Sequence, residues 1–164
     1  MSLIMRYQWA AYMGIMSTSG QQTTEVFNLI GDGFTSFPEA KNAKEYTRKY
    51  INDKTERSDV IGYAPSIAYT CDTISDDPVV QEIVKIHEGE LVGNDTHRTV
   101  ISVNLWEPVG SGSSSTSYKA YKRTYSIIPG SKGDGTDALT YSGTMKAVSD
   151  IIEGTFDTST KTFT

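Results

Sequence analysis

The sequence contains one cysteine, Cys71, and two histidines, His87 and His97, in 164 residues. A single thiol excludes an intramolecular disulfide framework, and so few soft ligands exclude a cysteine-rich zinc site and disfavour a histidine-based one. We therefore expect a fold suited to a reducing compartment, with no metal site and no cofactor.

Long hydrophobic runs are also missing. No apolar stretch approaches the length of about 20 residues that spans a bilayer, and the first residues lack the apolar core of a signal peptide. The chain has 15 Lys+Arg against 20 Asp+Glu, a net charge of -5. The missing apolar runs lead us to expect no membrane contact. Because binding to phosphates needs a positive surface, we also expect no tight binding of nucleic acid. An acidic protein can still form a passage that nucleic acid crosses without adhering.

Hydroxyl side chains are abundant, since Ser and Thr make up about a quarter of the chain beside 14 Gly and 10 Tyr. Thr and Tyr favour strands, whereas Gly and Ser favour turns. Period-two patterns occur over 61–71, 99–106, 118–128 and 139–147, and the last two predict a long hairpin. The short apolar run 26–30, the turn signal Asp32-Gly33 and residues 34–37 suggest a further strand and its return.

One helix is predicted after Asp77, which can cap it, with Pro78 at its first position. Val80, Ile83, Val84 and His87 recur at helical spacing, and Gly89 is a plausible stop. The length fits one domain. The pattern therefore predicts a mainly β fold, with about seven strands and one flanking α-helix. The Gly/Ser-rich stretch 110–117 is predicted to be a flexible loop.

No catalytic constellation stands out, so we expect no enzyme. The segment 110–113 lies in low-complexity sequence, and 130–135 lacks the spacing of a phosphate-binding loop and is followed by a strand. Paired aspartates are explained by turns and by the helix cap, because no calcium-loop spacing accompanies them.

Residues 41–57 hold six of the 15 basic residues, interleaved with Glu45, Asp53 and Glu56. A solvated loop is the simplest interpretation. The alternative is an interaction arm, because mixed charge is self-complementary between copies of one chain and Tyr adds rigid contact area. The candidate inter-subunit residues are Tyr46, Arg48, Lys49, Tyr50, Lys54, Glu56, Arg57 and Asp59.

Seven separated segments, in order, resemble the major tail tube protein of tailed phages and prophages of Gram-positive bacteria. They are EYTRKYI (45–51), ERSDVIGYAPSI (56–67), SDDP (75–78), ELVG (90–93), GDGTDA (133–138), YSGTMKA (141–147) and EGTFD (153–157). The resemblance covers roughly 25–164. It implies a non-catalytic virion protein with a β-sandwich or small-barrel domain over 25–164 and an extended arm at about 38–60. Residues 1–24 lie outside the resemblance, and we expect them to form a flexible N-terminal segment.

The resemblance also implies assembly. Subunits of that family form six-membered rings that stack into a tube through which DNA passes into the host. The implied partners are further copies of the chain, a tape-measure protein and tail-tip or terminator proteins. The implied location is the virion tail, after synthesis in the bacterial cytoplasm. A lumen that must not hold DNA favours small polar walls, and the candidates are Ser102 and Asn104 on one strand or Ser142, Thr144 and Lys146 on another.

Two alternatives remain open from sequence. The chain could be a tube subunit of a contractile tail or of a phage-derived injection particle, which would share the fold. It could instead be a carbohydrate-binding β-sandwich module, which ten Tyr and two Trp permit.

Overall fold

Antiparallel β-structure dominates the chain, and one α-helix is present in the part that the computed structural model describes, residues 1–110 and 115–164. The helix is α1 (Pro78–Glu88), and short 3-10 turns cover Arg6–Gln8 and Gly93–Thr96. The strands are β1 (Trp9–Ser19), β2 (Gln22–Ile30), β3 (Phe34–Ser36), β4 (Glu39–Ala40), β5 (Ala43–Arg48), β6 (Arg57–Tyr63), β7 (Ser66–Asp72), β8 (His97–Pro108), β9 (Ser117–Lys132), β10 (Thr140–Ala147), β11 (Ile152–Asp157) and β12 (Thr162–Phe163).

Ten of these strands form one curled sheet. Its main path runs β2-β1-β8-β9-β10-β7-β3, with β4 paired to β7, β11 paired to β9 and β12 paired to β11. Strands β5 and β6 form a separate two-stranded hairpin. The predicted class, mainly β with seven strands on the main path and one flanking helix, is confirmed. The predicted β9–β10 hairpin is also present.

The main core lies between the sheet and α1. The helix buries Val79, Val80, Ile83 and Ile86 in the same core cluster as sheet residues such as Tyr69 and Ile127. Asp77 caps the helix as predicted: its Oδ1 accepts hydrogen bonds from the backbone N–H groups of Val79 at 3.0 Å and Val80 at 2.9 Å.

A second, smaller core lies beneath the β11–β12 hairpin. Phe156 is fully buried there, and its ring centroid lies 4.5 Å from that of Tyr12 in β1. Ile101, Val103 and Ala120 complete the buried cluster. Strand β9 bonds to β8 along one edge and to β10 and β11 along the other, and through Phe156 the end of the chain contacts Tyr12 of β1.

The structure differs most from expectation at the amino terminus. The segment 1–24 was expected to be flexible, yet β1 lies inside the sheet between β2 and β8. Ala11 and Met13 pack in the main core while Tyr12 packs in the second. A strand buried on both faces is apolar without alternation, so its sequence lacks the period-two signal.

Two further expectations need correction. The pattern over 61–71 is two strands in different sheets, and only its β7 half carries buried residues, Ile67, Tyr69 and Cys71. Asp32-Gly33 does not close a β2–β3 hairpin, because β3 pairs with β7.

Of the loop predicted at 110–117, residues 111–114 lie outside the described part, and β9 already begins at Ser117.

Candidate assembly surfaces

The β5–β6 hairpin projects the residues that the sequence marks as an interaction arm. Arg48 is the centre of a compact cluster: its Nη2 lies 2.5 Å from Asp59 Oδ2, and its Nε donates to Tyr50 Oη at 3.1 Å. The guanidinium carbon lies 5.1 Å from the Tyr46 ring centroid. The hydrogen bonds to Tyr50 and Asp59 raise the pKa of Arg48 above its ordinary value.

Arg57 joins the same cluster from β6. The register sets it directly opposite Arg48, and two like charges in that position repel. Asp53 offsets the repulsion, with Oδ1 2.8 Å from Arg57 Nη2, and the Tyr50 ring lies 5.6 Å from the Arg57 guanidinium. Five of the eight candidate contact residues, Tyr46, Arg48, Tyr50, Arg57 and Asp59, are thus brought together, and their charged groups stabilise the arm itself.

The other three candidates, Lys49, Lys54 and Glu56, are exposed at the end of the arm. Within the described residues none of them has an ion-pair partner within 4.0 Å. These three charges at the end of the arm face its surroundings, as do the exposed Lys44 and Glu45 of β5. Sequence spacing alone did not separate them from the charges that the hairpin uses internally.

The candidate lumen residues fall on opposite faces of the sheet. Ser102 pairs with Ala11 of the main core, so Ser102 and Asn104 project on the face that carries α1. Ser142, Thr144 and Lys146 alternate with the buried Tyr141 and Met145, so they project on the other face. One continuous surface therefore cannot contain both sets.

The face that carries Ser142 and Thr144 extends across three strands and is rich in hydroxyl groups. In register with these residues lie Thr70 and Ala68 of β7. On β9, Ser126 lies opposite Lys146 and the exposed Ile128 lies opposite Thr144. We call this the hydroxyl face, and it comprises Ser66, Ala68, Thr70, Ser126, Ile128, Ser142, Thr144 and Lys146. Lys146 is its one charged member, and every member is half-buried or exposed.

A polar network on the opposite side fixes the end of α1 against β7 and β10. The Tyr69 hydroxyl and His87 Nε2 are 2.8 Å apart, and the Tyr141 hydroxyl donates to Glu88 Oε1 at 2.7 Å. Lys132 pairs with Glu88 and, by its hydrogen bond, holds the pKa of that carboxyl below its usual range. Burial lowers the pKa of His87, and burial raises the pKa of Cys71 to about 11.

The two edges of the main sheet differ. Strand β2 ends the sheet and is nine residues long, with Glu25 as its sole charged side chain and no proline. The opposite edge is split into the three residues of β3 and the two of β4, with Pro38 between them. Sequence reasoning missed the β2 edge because it had placed no strand in β1. The signal was the low charge and the absence of proline over 22–30.

Other site types find no support in the described residues. No group of three or more His, Cys, Asp and Glu side chains there is arranged to hold a metal ion. Among the helices described, none is long and apolar enough to cross a membrane.

Comparison with known proteins finds a likeness of fold. No family model matches the chain, and no curated protein sequence matches it. Among solved structures, a chain in the cryo-EM structure of the anti-feeding prophage baseplate, 6-fold symmetrised, superposes with a TM-score of 0.50 at 7% identity. The match covers 93% of this chain and 96% of that chain. At this identity the likeness shows the shared fold.

Proposed function

We propose that the chain is a structural protein of a phage or phage-derived particle and, more specifically, a tail tube subunit. The observation that carries the proposal is the free nine-residue edge of β2. A long edge with little charge presents unpaired backbone groups that another strand can complete. The fold shared with a chain of a 6-fold symmetrised phage-derived assembly supports the same function.

In this proposal the β2 edge of one subunit pairs with a free strand of the next. Such head-to-tail contacts use two different surfaces, and they close into a ring when the rotation is right. Six copies per ring follow from the resemblance of the sequence to tail tube proteins. The arm then reaches the neighbouring ring through Lys49, Lys54 and Glu56, and tape-measure and tail-tip or terminator proteins complete the partners.

The hydroxyl face is the surface that best suits the lumen. It carries mainly small polar groups, with two apolar residues, Ala68 and Ile128, and one cation, Lys146, so it offers DNA few sites for releasing counterions. Ser102 and Asn104 suit this role less well, because Asn104 Nδ2 donates to Glu107 at 2.7 Å and Ser102 borders the core. The proposed location is the virion tail, and the role is non-enzymatic.

A second candidate function is a tube subunit of a contractile or injection particle. The particle that contains the superposed chain favours it, because that particle is an anti-feeding prophage. The two candidates share the ring, so the assembly experiment below tests what they have in common.

The test is assembly with a matched pair of variants. Val26 in β2 and Val109 beyond β8 are 42% and 41% exposed, so Val26→Lys and Val109→Lys place the same charge at equal exposure. Negative-stain micrographs and light scattering of concentrated wild-type protein should show six-fold rings or hollow tubes. Val26→Lys should abolish them because charge on an edge strand blocks pairing, whereas Val109→Lys should assemble as wild type does.

Two outcomes would contradict the proposal, and each contradicts a different part of it. Equal assembly of both variants would refute the β2 edge as the contact. A wild-type chain that stays monomeric at high concentration would count against self-assembly and would favour the carbohydrate-binding module, which a glycan array would then test.

A further inference from the structure

Arg123 of β9 forms the floor of a surface cleft at the root of the arm. The cleft has a volume of about 580 Å³. One wall is the connection from β6 to β7, residues 63–65, and the other is the connection from β10 to β11, residues 147–150. Arg123 lies opposite Val100 in the register, on the face that carries the main core.

The guanidinium of Arg123 is incompletely satisfied. Its Nε and Nη1 atoms are buried and have no hydrogen-bond partner among the described residues. A buried charged donor left without an acceptor is costly, and the cost is larger than for a neutral group. The Tyr125 hydroxyl contacts this guanidinium, but no carboxylate of the described residues forms an ion pair with it within 4.0 Å.

The nearby carboxylates of the same chain, Glu39 and Asp150, do not form an ion pair with Arg123. Glu39 borders the space on the other side of Arg123, and its Oε1 lies 2.6 Å from Lys41 Nζ. Asp150 lines the cleft, yet within the described residues it forms no ion pair within 4.0 Å. Arg123 as a whole is half-buried and lines the cleft, so an acceptor from outside the chain can approach its guanidinium from that side.

The rim of the cleft has the character of a protein interface. Tyr63 is 63% exposed and Val148 is 48% exposed, so two large side chains with apolar surface border the cleft beside the polar Ser149 and Asp150. Arginine and tyrosine are enriched at interface hot spots, and apolar neighbours that exclude water strengthen the pairing. The planar fork of a guanidinium matches a carboxylate, which it can bind through two hydrogen bonds.

We propose that this cleft receives a carboxylate side chain from a second copy of the chain, which pairs with Arg123. The inference rests on the self-assembly proposed above. Charge complementarity favours a second copy as the occupant, since the chain carries 20 Asp+Glu against 15 Lys+Arg. Glu56, exposed at the end of the arm, is one carboxylate without an ion-pair partner among the described residues.

The experiment compares Arg123→Met with Lys122→Met. The two substitutions remove one positive charge each from adjacent positions of β9, and Lys122 Nζ lies on the opposite face, 5.4 Å from the Phe163 ring centroid. Thermal midpoints are measured at a concentration where the protein is monomeric. The critical concentration for assembly is measured by light scattering on the same preparations.

The inference expects Arg123→Met to keep or raise the thermal midpoint of the monomer, because a cation without an anion is replaced by an apolar chain. The critical concentration should rise roughly 30-fold or more, as expected when one partner of a buried pair is removed. Lys122→Met should leave the critical concentration within a few-fold of wild type.

Three results would overturn the inference. If Arg123→Met assembles as wild type does, the cleft binds no essential carboxylate and the tube proposal stands without it. If Arg123→Met and Asp150→Asn lower the monomer midpoint equally and the double variant adds nothing, Arg123 pairs with Asp150 in its own chain. If wild type itself never assembles, the proposed function fails and the inference fails with it.

Discussion

Strands β7 and β10 present two faces made from alternating residues of the same segments, and the faces differ in how they are covered. On one face Tyr69, Cys71, Tyr141 and Met145 are buried in the main core, to which α1 also contributes. On the hydroxyl face Thr70, Ser142 and Thr144 are half-buried. One face of these strands is therefore core, and the other keeps surface that an assembly can contact.

The largest expected effect on the free energy of unfolding comes from comparing two neighbouring residues of β10. Met145 is fully buried and Thr144 projects on the hydroxyl face. Met145→Ala should lower the free energy of unfolding by about 2–5 kcal/mol, because it leaves a cavity in the core. Thr144→Ala should lower it by less than about 1 kcal/mol. Denaturant titration measures both, and equal losses would show that the hydroxyl face is also packed.

The second test weakens the start of α1 and leaves every residue of the sheet unchanged. Asp77→Ala removes the acceptor for the N–H groups of Val79 and Val80, so the free energy of unfolding should fall by about 1 kcal/mol. Asp76→Ala is the matched control, because Asp77 is the residue that caps the helix. The same titration measures both variants, and an equal loss from both would mean that net charge, not capping, is responsible.

The smallest expected effect is a pH dependence at the end of α1. Burial lowers the pKa of His87 in the folded protein, so the folded state binds a proton less readily than the unfolded chain. Stability should be complete above the unfolded pKa of about 6.5 and should decline as the pH falls from there through the folded pKa. Denaturant titrations at pH 7 and pH 5 measure the decline.

His87→Gln serves as the control for that measurement, because an amide can still contact the Tyr69 hydroxyl and does not titrate. The variant should lose the His87 part of the difference between pH 7 and pH 5. If wild type and His87→Gln decline equally, the difference comes from other groups.

Local signals predicted several parts of the fold. The cap at Asp77, Pro78 and the spacing of Val80 and Ile83 locate α1, because capping and amphipathicity are properties of neighbouring residues. The β9–β10 hairpin is predicted for the same reason. Strand β1 could not be predicted, since its apolar residues divide between two cores that form only when distant segments meet.

The candidate surfaces show the same limit. Alternation within β8 and β10 separates polar from apolar positions in each strand, but the relation between the strands depends on register. For that reason Ser102 and Thr144 appear equivalent in sequence and lie on opposite faces in the structure. Composition predicted the charged arm, whereas the pairing of Arg48 with Asp59 depends on the β5–β6 register.

The position of β1 has a kinetic consequence. Strands β8, β9, β10 and β11 are close in sequence and pair with one another, so forming them closes only short loops. The β1–β2 hairpin joins β8 across some ninety residues, which is the slower type of contact to form. We therefore expect the β1–β2 hairpin, and with it the β2 edge, to join the sheet after β8 to β11 have paired.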